Sequence, residues 1–84
     1  MSVTVLLTPE AQKQVTALPV TIRDRVLDVF VRLAGWPEVS GAKPLSGKLA
    51  GTYRVRTGDW RILFRVVSPH VIVVTVAHRS RVYE

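Results

Sequence analysis

Cysteine is absent from this sequence of 84 residues. Neither disulfide bonds nor cysteine-based zinc sites can therefore contribute to its fold, as is usual in a reducing compartment. No apolar run approaches the roughly 20 residues that a membrane-spanning helix needs. The first residues, Met1-Ser-Val-Thr-Val-Leu-Leu-Thr8, lack the basic and long apolar regions of a signal peptide. We therefore expect a cytoplasmic protein.

Signatures of metal and nucleophile chemistry are nearly absent as well. His70 and His78 are the only histidines, and the sequence contains no HExxH, Cys/His or GxSxG pattern. The six carboxylates are scattered, and a Gly-rich phosphate loop is missing. We therefore expect chemistry that uses neither a metal ion nor another cofactor.

Acidic residues are scarce in the second half of the chain. Residues 1–42 carry four basic and four acidic side chains, whereas residues 43–84 carry eight basic and two acidic ones. The whole formal net charge of +6 therefore lies in the second half. A positive field concentrated in this way steers a polyanion to one surface.

The pattern of apolar and turn-forming residues predicts a single small α+β domain over residues 1–84 with the order β-α-α-β-β-β. Thr8-Pro9-Glu10 has the residues of a helix start, and Pro19 ends that helix. We expect the two helices to form an antiparallel hairpin on one face of a mostly antiparallel sheet. The predicted elements are a strand over 2–7, helices over 8–18 and 21–34, a loop over 38–50, and strands over 51–57, 60–65 and 71–77.

Residues 51–65 are predicted to form a β-hairpin. Apolar and basic residues alternate on both sides of Gly58-Asp59, which suits a two-residue turn with glycine first. This turn would place Thr57 opposite Trp60 and Arg56 opposite Arg61. Side chains alternate between the faces of a strand. One face would then carry Tyr53, Val55, Trp60, Ile62 and Phe64, which we interpret as core, and the other Arg54, Arg56, Arg61, Leu63 and Arg65.

The predicted Arg56–Arg61 pair indicates a binding site for an anion. Like charges directly opposite each other destabilise a sheet, and nucleic acid is the commonest large polyanion. Guanidinium groups clamp phosphate oxygens and stabilise charge on a phosphodiester transition state, and RNA supplies its own 2′-OH nucleophile. The candidate catalytic residues are Arg54, Arg56, Arg61, Arg79 and Tyr83. The candidate RNA-binding residues are Lys43, Lys48, Arg65, His78 and Arg81.

Four ordered pieces of the chain resemble the RelE/ParE superfamily of bacterial toxins. They are Lys43-Pro-Leu-Ser-Gly, Gly51-Thr-Tyr-Arg-Val-Arg followed by Gly58-Asp-Trp-Arg-Ile-Leu-Phe-Arg65, Val76-Ala-His-Arg79, and Val82-Tyr83. The resemblance covers essentially the whole chain and implies the RelE-like microbial RNase fold. RelE-like members cleave mRNA in the ribosomal A site by attack of the 2′-OH on the adjacent phosphate. An acidic antitoxin neutralises them, and the complex usually represses its own operon through operator DNA.

The resemblance also implies roles for individual residues. Arg79 would donate a proton to the leaving group or stabilise its charge, and Tyr83 would orient or stack. Arg54 and Arg56 stand where better-known members often have lysines. Because a guanidinium stays protonated at neutral pH, neither can be the general base. That role is left to Tyr83, His78 or a ribosomal group.

Two other functions fit the same fold. A ParE-like toxin would inhibit DNA gyrase without cutting RNA, although such toxins generally lack the full set of basic residues and tyrosine. A member that has lost activity would still bind RNA or antitoxin, and the arginines at positions 54 and 56 favour that alternative.

Overall fold

Two helices pack on one face of a five-stranded sheet, which confirms the predicted α+β fold. The computed structural model describes residues 3–82. Its strand order is β1-β5-β4-β3-β2, and only the β1–β5 pair is parallel. The elements are β1 (Thr4–Leu7), α1 (Pro9–Thr16), α2 (Val20–Leu33), β2 (Lys43–Pro44), β3 (Thr52–Thr57), β4 (Trp60–Val67) and β5 (His70–His78). The strand predicted over 2–7 begins at Thr4, and Ser2 lies outside the described residues.

The first helix begins where its sequence predicts. Thr8 is the N-cap, and its Oγ1 accepts a hydrogen bond of 3.1 Å from the backbone N of Ala11. Pro9 follows as the first helical residue, where its missing N–H costs nothing. The helix ends at Thr16, and α2 starts directly after Pro19, one residue before the predicted start. The α1 helix lies against β5, and α2 lies against β3.

The β3–β4 hairpin has the predicted register at every pair. Thr57 is opposite Trp60, Arg56 is opposite Arg61, and Tyr53 is opposite Phe64. Gly58 has a φ of +59°. Among the described residues, every residue with a positive φ is a glycine. A positive φ at the first turn residue alone fits the two-residue turn that the sequence predicts.

The prediction of a continuous loop over residues 38–50 is incomplete. Lys43 and Pro44 form the edge strand β2, which pairs antiparallel with β3, and residues Gly47–Leu49 form a 3₁₀ turn. The backbone N of Leu45 also donates to the carbonyl of Thr52 at 2.8 Å. A strand of two residues has no measurable alternation, so composition alone indicates a loop here. Pro44 is nevertheless compatible with an edge strand, because strand prolines are found mainly at sheet edges.

The long strand β5 lies inside the sheet between β1 and β4, as its continuous apolar sequence predicts. Its register against β4 shifts after Leu63, so that Val74 becomes an extra residue between the partners Val73 and Thr75. One-residue bulges of this kind bend a strand and free backbone groups. Beyond the bulge, the side chain of Gln14 on α1 bonds to β5, because its Oε1 accepts a 2.7 Å hydrogen bond from the N of Val76.

The hydrophobic core lies between the helices and the sheet. Tyr53, Trp60 and Phe64 belong to this side, as predicted, and Phe64 is fully buried. The buried members of the core are Ala11, Val15, Leu18, Val26, Val29, Leu33, Val55, Ile62, Phe64, Val71, Val73 and Val76. Among residues 3–82, no helix is both long and apolar enough to cross a membrane.

Candidate nucleic-acid interface

The face of the sheet opposite the helices carries a row of basic side chains, here called the arginine face. Val55, Ile62 and Phe64 are buried towards the helices, so their neighbours along each strand point the other way. The register of the three strands then places on this face Lys43 from β2, Arg54 and Arg56 from β3, and Arg61 and Arg65 from β4.

Arg56 and Arg61 are direct cross-strand neighbours on this face. Arg61 is held by the end of the hairpin, since its Nη1 donates to the carbonyl oxygens of Gly58 at 3.0 Å and Trp60 at 3.1 Å. Arg56 remains exposed. One guanidinium is therefore held by hydrogen bonds and the other side chain is exposed, although the two residues are direct neighbours.

Arg54 lies in the middle of the arginine face, between Lys43 on β2 and Leu63 on β4. Its Nε is buried and has no hydrogen-bond partner within residues 3–82. Burying a polar group without a partner costs about 1–3 kcal/mol, more if it is charged. Leu63 is only 4% exposed although it faces away from the main core. This centre therefore combines an apolar floor with a donor that lacks an acceptor.

Arg79 lies in the segment after β5 and contacts the turn between β3 and β4. Its backbone N donates to the carbonyl of Asp59 at 2.8 Å, and its Nε lies 3.8 Å from Asp59 Oδ1. Both side chains are about two-thirds exposed. The turn between β3 and β4 thus brings Arg61 and Arg79 to the same end of the sheet.

Three of the predicted RNA-binding residues lie outside the arginine face. His78 is opposite Trp60 and therefore on the helix side, where their ring centroids are 5.5 Å apart. Its Nδ1 is 2.9 Å from Ser80 Oγ. His78 and Arg81 line an open groove of about 590 Å³ beside α1, not the arginine face. Lys48 is exposed in the 3₁₀ turn, and Tyr83 lies outside the described residues.

Two residues near the hairpin turn were missed by the sequence reasoning. Asp59 was predicted only as a turn residue, although its carboxylate approaches Arg79. Arg25 had no predicted role beyond its charge, but a β-carbon on Gly58 would lie 3.5 Å from its Nη1. No local signal indicates either contact, because each depends on how distant segments pack. Within residues 3–82, no three His, Asp or Glu side chains come together as metal ligands would.

Comparison with known proteins identifies the class to which this fold and its basic face belong. Residues 5–83 match the family model described as "ParE toxin of type II toxin-antitoxin system, parDE". The chain therefore belongs to the RelE/ParE superfamily of type II toxins, as the sequence motifs indicate.

Individual relatives agree with this assignment. The chain is 36% identical over 86 residues to Toxin RelG of Mycobacterium tuberculosis, covering 99% of this chain and 98% of that protein. It is 32% identical, with a TM-score of 0.83, to a chain in the crystal structure of the toxin–antitoxin complex RelBE2 from the same organism, covering 94% of this chain and 100% of the other. The isolated Escherichia coli RelE toxin shares the fold, with a TM-score of 0.76, 18% identity and coverage of 90% and 83%.

Proposed function

We propose that this toxin is a RelE-like endoribonuclease that stops translation by cleaving mRNA in the ribosomal A site. The observation that carries the proposal is the convergence of Arg54, Arg56 and Arg61 on one sheet face, with Arg79 at its end. Arg54 adds a half-buried side chain at the centre of this face, and guanidinium groups bind phosphate oxygens. These features suit a single scissile phosphate.

The proposed reaction uses the RNA as its own nucleophile. The ribose 2′-oxygen attacks the adjacent phosphorus and loses its proton, while the bond from phosphorus to the 5′-oxygen breaks and that oxygen gains a proton. The products are a 2′,3′-cyclic phosphate and a 5′-hydroxyl end. Arg56 and Arg61 would bind the non-bridging oxygens, whose charge grows in the transition state. Arg79 would stabilise the departing 5′-oxygen.

The general base must be a group other than these arginines, because a guanidinium stays protonated at neutral pH. His78 is a poor candidate, since it packs against Trp60 on the helix side of the sheet. We therefore assign the base to Tyr83 or to a group of the ribosome. In either case, binding and alignment of the phosphate are the main contribution of the described residues.

The partners follow from the same proposal. Similar chains occur in toxin–antitoxin complexes, including the M. tuberculosis complex RelBE2. We propose an acidic antitoxin that binds this basic chain in a hetero-oligomer, and operator DNA that is bound through the antitoxin. The proposed site of action is the cytoplasm, on translating ribosomes.

The test is expression of Arg61→Ala and Arg79→Ala variants. Each should lose the growth arrest of the wild type and reduce the cleavage rate on the order of 100-fold, while the purified proteins keep their fold by circular dichroism. Arg32→Ala is the matched control, because Arg32 is exposed on α2 and, within residues 3–82, its side chain bonds only the loop carbonyl of Ser40. Mapped mRNA 5′ ends should fall within codons. Full growth arrest in both variants would contradict the proposal.

A ParE-like gyrase inhibitor is the second candidate, favoured by the description of the matching family model. It predicts a DNA-damage response on induction, with intact mRNA. A toxin that has lost activity is the third, and it predicts RNA or antitoxin binding with neither response. The same induction experiment, read by mRNA end mapping and a DNA-damage reporter, separates all three.

A further inference from the structure

The turn that ends the β3–β4 hairpin holds two arginines by different means. Arg61 Nη1 donates to the carbonyl oxygens of Gly58 and Trp60 on either side of Asp59. Arg79 contacts Asp59 twice, through a backbone hydrogen bond of 2.8 Å and through its Nε, 3.8 Å from the carboxylate. Asp59 is thus the residue around which the two guanidinium groups are arranged.

Asp59 is also the only acidic residue between positions 43 and 82, a segment with eight basic side chains. A carboxylate in such a segment weakens the attraction for RNA, because it repels phosphate. Simple electrostatics therefore predicts that its removal would strengthen RNA binding. If removing the Asp59 charge slowed the cleavage step instead, the residue would have a role other than its general repulsion of phosphate.

We propose that Asp59 is a positioning residue that directs Arg79 towards the scissile phosphate beside Arg61. This inference rests on the ribonuclease function proposed above. The backbone hydrogen bond fixes where the Arg79 chain starts, and the carboxylate restricts the orientations of its exposed guanidinium. An exposed ion pair at 3.8 Å contributes little to stability. The contact instead aligns the Arg79 guanidinium, and a small displacement of a catalytic group slows a reaction considerably.

The test is single-turnover cleavage of mRNA on programmed ribosomes by an Asp59→Asn variant. Asparagine keeps the size of the side chain and the backbone carbonyl that bonds Arg79 N, but it removes the charge. We expect binding of the programmed ribosome to be unchanged or tighter and the rate at saturation to fall about fivefold, the scale of one exposed ion pair. Asp59→Glu should recover much of the rate.

Two controls separate positioning from general charge. Asp28→Asn makes the same chemical change at an exposed position on α2, and it should leave the rate at saturation unchanged. In an Arg79→Ala background, Asp59→Asn should cause no further loss, since the two residues act through one contact. A wild-type rate in Asp59→Asn, or an equal loss in the Arg79→Ala background, would overturn the inference.

A spectroscopic measurement keeps this inference distinguishable from the proposed function. Solvent exchange of the Arg79 Nε–H, followed by NMR on the purified toxin, should become faster in Asp59→Asn and remain unchanged in Asp28→Asn. Wild-type toxin that fails to cleave mRNA would refute the ribonuclease proposal alone. Unchanged Nε–H exchange in Asp59→Asn would refute the positioning role, whatever the activity of the toxin.

Discussion

Arg56 and Arg61 stand directly opposite each other across the β3–β4 ladder, although opposed like charges destabilise a sheet. Arg61 turns back onto the carbonyl oxygens of Gly58 and Trp60, which leaves Arg56 exposed beside it. The free toxin therefore retains a repulsion that a bound anion would relieve. Stability and anion binding are opposed at this pair.

Replacing Arg56 with Gln should stabilise the free protein and weaken its binding to RNA. Loss of the cross-strand repulsion should raise the free energy of unfolding by about 0.5 kcal/mol at low ionic strength. The gain should shrink in high salt, because salt screens the exposed charges. Thermal unfolding at two ionic strengths measures this effect. Lys13→Gln, an equal change of charge on exposed α1, should produce no comparable gain.

Arg54 should contribute one phosphate contact to RNA binding. Each neutralised phosphate on a single strand adds about 0.7 to the slope of log affinity against log salt. Arg54→Ala should reduce that slope by about 0.7, measured by fluorescence anisotropy with a short single-stranded RNA. Arg32→Ala should leave the slope as it is. An unchanged slope in Arg54→Ala would place the phosphate elsewhere.

The β3–β4 hairpin was predictable because its information is local. A two-residue turn fixes the register, and alternation then assigns every side chain to a face. The convergence of Arg54, Arg56 and Arg61 follows from that alone. The start of α1 was predictable for the same reason, since Thr8 and Pro9 act within one turn of helix.

What the sequence could not reveal depends on contacts between distant segments. The two-residue strand β2 is defined by its pairing with β3, in which Lys43 lies opposite Arg54. The sequence of β2 itself has no strand pattern. His78 was a candidate for the site by its position next to Arg79, but the bulge at Val74 sets which residues of β5 face the helices from Thr75 onwards. A single extra residue exchanges the two faces of a strand, and sequence alternation does not reveal it.

Gln14 should stabilise the bulged part of β5. Its side chain accepts the hydrogen bond of Val76 N at 2.7 Å, so Gln14→Ala should lower the free energy of unfolding by about 1 kcal/mol. Gln14→Glu retains an acceptor at the same place and should recover most of that loss. Chemical denaturation measures both. Gln12→Ala, at an exposed position of the same helix, is the control and should unfold like the wild type.

Gly58 should be required for both stability and activity. Its φ of +59° is unfavourable for residues with a β-carbon, so Gly58→Ala should cost about 1 kcal/mol. Because the turn also holds Arg61 and Arg79, the cleavage rate should fall more than the stability loss explains. Gly35→Ala is the matched control, since Gly35 has no positive φ and a β-carbon there meets nothing closer than 3.4 Å. Equal activity of both variants would argue against the idea that the turn positions Arg61 and Arg79.

The parallel pairing of β1 with β5 has a consequence for the timing of synthesis. Val5 pairs with Val71, so β1 leaves the ribosome well before β5, its partner in the sheet. The β3–β4 hairpin can close earlier, but β5 also supplies much of the core beneath it. At about 5–20 residues per second, several seconds separate the two strands during translation. A nascent toxin therefore lacks its complete basic surface while its own mRNA is being translated.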